Sequence, residues 1–353
     1  MSDTPSYYRP VDLTRHHREK LWDYHGRAIY HITLTTADRY PLFGVLFGDT
    51  AESASISLNP FGKEVNRMLH DLPAFFAPKA ISLKTLAVMV MPDHLHLVLQ
   101  VLEPMPKSIG KVIRGFKSAC TSLFKRTYVP VFPAFAPIFE QHPTIWESTS
   151  SGYHEHILHC ENQLTAMIKY VKDNPRRLWL KLHNPNLFQM HTQVIFGDWS
   201  FRAMGNMHLL DAPIKQVLQC SRGITPEHLQ ELQDTFLEQA QSGVVTLSAA
   251  ISPGEKQIAR LIRESHLPLV ILLKDGFPPA GSSAERLYKP GGMYFDACAE
   301  GYLLLLEPTA DIFGCQEVVD AVYRRSPMAT CDSQRYHFLA LNHIASRLAS
   351  ISE

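Results

Sequence analysis

Apolar and polar positions follow two different periods along the first half of the chain. Ala28–Thr35 (AIYHITLT), Ile81–Met91 and His94–Val101 carry the β-rich composition of strands, and the last two meet at Pro92-Asp93. Asn59-Pro60 supplies a helix start that turns Val65, Met68 and Leu69 inward. Ser108 caps a second helix to about Arg126, with Ile109, Val112, Phe116 and Leu123 at helical spacing. A Pro- and Phe-rich loop (Val129 to Ile138) and a short strand at Ile145-Trp146 follow. A last helix then covers Glu161 to Asn174 and stops before Pro175, which disfavours helical geometry in the residue ahead of it. This order predicts an α+β domain over residues 1–182, an antiparallel sheet with helices packed on it in a ferredoxin/RRM-like manner.

Residues 183–205 carry turn signals and read as a linker. From 206 to 353 the rhythm changes. Thr225-Pro226-Glu227 opens a helix to about Ala240, Val244 to Ser248 is a strand, and Ser252-Pro253-Gly254-Glu255 is a capping box with Pro at the first helical position. Leu269–Leu273 and Tyr302–Leu306 are short, wholly apolar strands, as expected where both sheet faces are covered. Strands alternating with helices predict a C-terminal α/β, Rossmann-like domain.

Composition refines this picture. At 353 residues two domains are the natural division. The net charge is zero, but 21 Lys/Arg stand against 16 Asp/Glu up to Pro185 and 13 against 18 beyond it, giving halves of +5 and −5. Only the basic half is inclined toward nucleic acid. Six cysteines without Cys-x-x-Cys spacing argue against a zinc ribbon or disulfide framework and for buried free thiols. The polar start and the lack of any apolar run near the ~20 residues of a membrane span point to a cytoplasmic protein.

The chemistry centres on His94-Leu95-His96. Two residues apart on a strand, the imidazoles share a face while Leu95 and Leu97 take the other. Such a pair offers two nitrogens to one divalent cation, which suits chemistry on a phosphodiester. His154 and His156 repeat the spacing and are the rival pair; the role of His31 is open. Tyr170 and Asn174, four apart, share one face of the last helix. Lys107, Lys111, Arg114, Lys117, Lys125 and Arg126 make a basic helix, a DNA-binding surface or an ordinary solvated face. Arg176 and Arg177 stand next to Asn174, where a scissile phosphate is better met. Trp146 and Tyr153 are candidates for base stacking or for the core.

These segments carry a family resemblance. YHITLTT (Tyr30–Thr36), VMPDHLHLVL (Val90–Leu99), the helix from Ser108, IWESTSSGYHEHIL (Ile145–Leu158) and YVKDNPRR (Tyr170–Arg177) resemble, in order, the single-tyrosine HUH transposases, particularly the REP-associated tyrosine transposases. The likeness spans about Ala28 to Lys181. It implies His94, His96 and Asn174 as metal ligands and Tyr170 as nucleophile. The product it implies is a 5′-phosphotyrosine with a free 3′-OH that can later be rejoined. Two imidazoles and an amide oxygen suit Mg²⁺ or Mn²⁺; the family points to Mg²⁺, the ligands lean to Mn²⁺. Asp93 stands where many relatives have Asn, Glu155 where Asp is frequent, and Asp49–Leu58 is an extra stretch. The second half is faintly similar to DprA/LOG-type Rossmann proteins.

Three functions follow: a transposase-like strand transferase acting on single-stranded or hairpin DNA, a replication-initiator-type nickase, or a domesticated DNA-binding protein without catalysis. No Gly-x-x-x-x-Gly-Lys-[Ser/Thr] helicase signature accompanies the site. Monomer and homodimer are both open: the Tyr170 helix either packs on its own sheet or swings to a partner. The second half contributes no cofactor site beyond a helix N-terminus at Ser252–Glu255, where Glu255 opposes an anion.

Overall fold

A computed structural model of the protein describes residues 22–141, 144–147, 153–282, 284–285 and 288–350. They fall into two compact units, one ending at His183 and one beginning at Asn184. The polar start of the chain and residues 148–152, inside the Ile145–Leu158 motif, lie outside the described residues.

The first unit is built on strands β1 (Ala28–Thr35), β4 (Leu83–Val90), β5 (His94–Val101) and β6 (His154–Leu158), paired antiparallel in the order β4-β5-β1-β6. Between β1 and helix α1 (Pro60–Phe76) stands a hairpin of β2 (Gly44–Phe47) and β3 (Ser55–Leu58); its turn and β3 fall in the stretch Asp49–Leu58 that the sequence marks as extra, and β2 precedes it. Asn59 caps α1, its side-chain oxygen accepting from the Gly62 amide at 2.8 Å. The strands separate the sheet into two chemically different faces. Tyr30, Ile32 and Leu34 of β1 and Leu95, Leu97 and Leu99 of β5 are at most 1% exposed, and pack with α1 and α2 (Ile109–Leu123) in one core. Each such aliphatic side chain contributes roughly 2 kcal/mol on leaving water. The opposite face carries His31, Thr33, His94 and His96. The short helix α3 (Ala136–Gln141) comes next in the chain, and the histidine face is covered by α4 (Glu161–His183) through Val171, Leu164, Met167 and Ile168 against Val98, Ala87 and Leu158.

Two expectations for this unit change. Ile145-Trp146 is not a strand; Trp146 makes only an isolated bridge to Thr36, and the fourth strand is β6. Its sequence, HEHIL, opens with three consecutive polar residues, so it lacks the apolar period that marks its neighbours. And α4 does not stop at Asn174 but runs on through Pro175 to His183. A proline removes one helical hydrogen bond without ending the helix when tertiary packing and a substitute donor compensate.

The second unit holds a six-stranded mixed sheet in the order β7-β8-β12-β11-β10-β9. Its strands are β7 (His191–Phe196), β8 (Trp199–Gly205), β9 (Lys215–Val217), β10 (Val245–Ser248), β11 (Leu269–Leu272) and β12 (Leu303–Pro308). β9 to β12 are parallel neighbours in chain order, while β8 runs antiparallel to both β12 and β7. Helices α5 (Pro226–Gln241), α6 (Pro253–Glu264) and α7 (Gly292–Ala299) lie between consecutive parallel strands. α8 (Ala310–Gly314), α9 (Gln316–Arg325) and α10 (Ser333–Ser350) follow. β10 and β11 are buried along their whole length, as their apolar composition predicts. The expected linker over residues 183–205 is instead largely β7 and β8. They are joined at Gly197 (φ 58°), and Trp199, Phe201 and Ala203 point inward at alternate positions. No helix among the described residues is long and apolar enough to cross a membrane. The five described cysteines are free; Cys120 and Cys298 are buried, whereas Cys160 is exposed.

Candidate active site

Register places the histidines. Directly paired residues of antiparallel strands share a face, and Thr33 pairs His96, Thr35 pairs His94 and His31 pairs His156. His154 pairs Thr33. All five strand histidines therefore lie on the α4 face, and the rival pair His154/His156 sits on β6, two strands from His94/His96. Glu155 pairs Ile32 and belongs to the opposite face.

Each central imidazole is held by one nitrogen. His94 Nδ1 lies 2.6 Å from Asp93 Oδ1, and Asp93 also meets Arg39 at 3.1 Å. Burial pushes the Asp93 carboxyl up, but the His94 hydrogen bond and the Arg39 charge outweigh it and hold the group below its ordinary value. The carboxylate thus accepts a hydrogen bond from Nδ1–H, and this tautomer leaves the Nε2 lone pair for a ligand. His96 Nδ1 is 3.1 Å from both His31 Nε2 and Thr33 Oγ1. Its Nε2 is buried and has no hydrogen-bond partner. Burial drives His96 well below the usual imidazole pKa, aided by His94 and His31 and opposed by the Asn174 amide. His31 is lowered to about 4, by burial and by His156. Both rings are neutral at pH 7, the form a metal requires.

α4 brings the remaining groups over this face. The Tyr170 ring lies 5.5 Å from that of His96 and 6.1 Å from that of His31, yet the residue is 36% exposed. The Arg177 guanidinium stands 5.4 Å from the Tyr170 ring. Asn174 is buried; its Nδ2 donates to the carbonyls of Tyr170 (2.8 Å) and Val171 (3.4 Å). With the amide nitrogen committed to the helix, Oδ1 is the atom left for a ligand. Tyr170, Asn174, His94 and His96 come together within one chain, because α4 packs on its own sheet.

A divalent cation fits these donors. An orphaned buried imidazole nitrogen is costly unless something fills its lone pair. Both rings are oriented through the nitrogen that would not bind metal. Among the described residues no three His, Cys, Asp or Glu side chains converge as a metal site; the further polar group beside His96 is the Asn174 amide.

Other candidates fall elsewhere. Lys107, Lys111, Arg114 and Lys117 belong to α2 and its approach, on the leucine face of the sheet rather than the histidine face. Lys117 is half-buried, and its pKa is lowered to about 8 by burial against the attraction of Glu147. Arg176 sits 3.5 Å from Asp173. Trp146 and Tyr153 are core residues, 1% and 4% exposed, so neither presents a ring for stacking; the Trp146 indole donates to the Lys117 carbonyl. Thr33 and Asp93 are site residues that sequence reasoning missed. Asp93 had a signal, a carboxylate adjoining a histidine in a turn. Thr33 becomes visible only through the strand register.

In the second unit the N-terminus of α6 is closed by its own chain. The Ser252 hydroxyl accepts from the Glu255 amide at 3.1 Å. Buried Glu255 accepts from the amides of Cys220 (3.1 Å), Ile251 (2.7 Å) and Ser252 (3.2 Å). Those are the donors a phosphate would have used.

No family model matches the chain, and no curated protein matches it. Among solved structures it is similar to a candidate transposase from Deinococcus radiodurans R1. That likeness has 18% identity over 45% of this chain and 96% of the other, with a TM-score of 0.25. It is also similar to DNA processing protein A from Helicobacter pylori, a structure concerned with single-stranded DNA binding. There the identity is 18% over 34% of this chain and 55% of the other, with a TM-score of 0.25.

Proposed function

We propose that the first unit is a DNA strand transferase of the single-tyrosine HUH type, acting on single-stranded or hairpin DNA. The observation that carries this reading is the buried, unpartnered Nε2 of His96, flanked by His94, Asn174 and the Tyr170 ring. His94, His96 and Asn174 are the residues that would hold a divalent cation. When bound, Mg²⁺ or Mn²⁺ supplies charge neutralisation at the scissile phosphate.

The chain's own groups do the rest. Tyr170 presents its hydroxyl from a helix fixed over the sheet, so the nucleophile is positioned before substrate arrives. Its hydroxyl gives up its proton as the oxygen bonds to phosphorus, the bond from phosphorus to the 3′ oxygen breaks, and that oxygen takes up a proton and leaves as a 3′-OH, so that one proton is lost for each one gained. The product is a 5′-phosphotyrosine, and the reverse attack by a 3′-OH rejoins strands. Arg177, beside the Tyr170 ring, and Arg176 meet the phosphate in this reading. Lys107, Lys111, Arg114 and Lys117 meet only DNA that passes round to the other face. The second unit serves as a Rossmann-like accessory domain.

The test is incubation with hairpin-ended single-stranded DNA and Mg²⁺ or Mn²⁺, followed by a denaturing gel. The wild type forms a covalent adduct, and Tyr170→Phe loses it by about 10³-fold or more. No wild-type adduct leaves a silent DNA-binding protein; an adduct that persists in Tyr170→Phe places the nucleophile elsewhere. Nicking without strand joining favours the replication-initiator-type nickase.

A further inference from the structure

α4 continues for eight residues beyond Pro175, which is itself buried within it. In an unbroken helix the amide of residue 175 donates to the carbonyl of Val171. Proline has no such hydrogen, and its ring crowds that carbonyl. The Val171 oxygen would be an orphan on a packed helix, and buried carbonyls rarely stay unpaired. It accepts instead from Asn174 Nδ2 at 3.4 Å, while the same nitrogen makes a 2.8 Å bond to the Tyr170 carbonyl. One primary amide thus donates to two consecutive carbonyls in the preceding turn of its own helix.

We propose that Pro175 is a positioning residue for Asn174. By removing a backbone donor it leaves the Val171 carbonyl for the Asn174 side chain, which fixes the amide with its nitrogen on the helix and its oxygen toward His96. An ordinary residue at 175 would satisfy Val171 through the backbone and free the amide to rotate. The vacancy in the helix ladder and the orientation of a candidate ligand are then one device. Sequence spacing alone presents Pro175 as a helix stop, the opposite of this role. The inference rests on the reading of Asn174 as a site residue.

The experiment uses the full-length protein with Pro175→Ala, Asn174→Ala and the double variant; Pro175→Ser, which also restores the amide, serves if the alanine variant folds poorly. In metal-free protein the side-chain amide protons of Asn174, followed by NMR, exchange about tenfold faster once the backbone donor is restored. Mn²⁺ affinity, measured by titration, falls about tenfold in Pro175→Ala and shows no further loss when the change is made in Asn174→Ala. Unchanged exchange overturns the proposal. So does an equal loss of Mn²⁺ affinity in the Asn174→Ala background, which would make the proline a matter of helix shape alone. Altered exchange in a protein that binds no Mn²⁺ upholds the positioning role and overturns the metal reading of the site.

Discussion

The histidine face of the first unit and the N-terminus of α6 in the second both gather buried polar groups, and they finish the job differently. At α6 a single carboxylate, Glu255, accepts from three backbone amides, and the chain satisfies itself. On the histidine face the rings of His94 and His96 are held through Nδ1, by Asp93 for His94 and by His31 and Thr33 for His96, while Nε2 of His96 has no hydrogen-bond partner. Buried polarity closed by the chain marks architecture; buried polarity closed on one side only marks a place for a ligand. The same distinction explains why a helix N-terminus that looks like an anion site on paper is none here.

Substitutions can break this comparison. The largest effect belongs to Glu255→Ala, which strips three amides of their acceptor and costs about 4 kcal/mol in urea unfolding of the second unit. A loss below 1 kcal/mol would show that water completes that turn as well as the carboxylate does.

The next effect is a pH dependence of the metal-free protein. His31 is neutral in the fold down to about pH 4, while the unfolded chain protonates it near the ordinary imidazole value of 6.5. The unfolded state therefore binds more protons in between. Stability present above pH 6.5 is lost as pH falls toward 4, by about 3 kcal/mol from this residue. His96 adds in the same direction. Denaturant unfolding at several pH values checks this, and His31→Gln flattens the dependence; an unaltered slope in that variant would contradict the assignment.

The smallest effect sharpens the contrast. Asp93→Asn loosens the hold on His94 and lowers Mn²⁺ affinity about tenfold by titration, with little change in unfolding. Were stability to fall instead, Asp93 would belong with Glu255 as a structural carboxylate.

Much of the first unit was legible because composition and turn chemistry agreed. β1 and β5 have the bounds their sequences predict, and Asn59 caps α1 where expected. β6 was not legible, since His154, Glu155 and His156 mask a strand that pairing with β1 makes. β7 and β8 were hidden under turn residues around Gly197, although Trp199, Phe201 and Ala203 keep the period of two. At the site, the shared face of His94 and His96 and of Tyr170 and Asn174 follows from spacing along single elements. The partners behind the rings do not, because Thr33 and His31 reach His96 only through a register that lies 63 and 65 residues apart in the chain. The face that α2 and its cations cover was not legible for a related reason: helical pattern gives a helix its apolar side, not the face of the sheet it covers.

The Trp179 indole of α4 donates to the Gly48 carbonyl of the inserted hairpin at 3.2 Å. Its acceptor belongs to the main chain, so the mooring reads contour rather than identity. Gly48 has φ +122°, and a methyl group there would sit 2.6 Å from the Ser53 carbonyl oxygen. Val45 and Phe47 beside it are exposed, and neither side chain enters that bond. What the turn lends to the helix that bears Tyr170 is a backbone path, and the glycine keeps it.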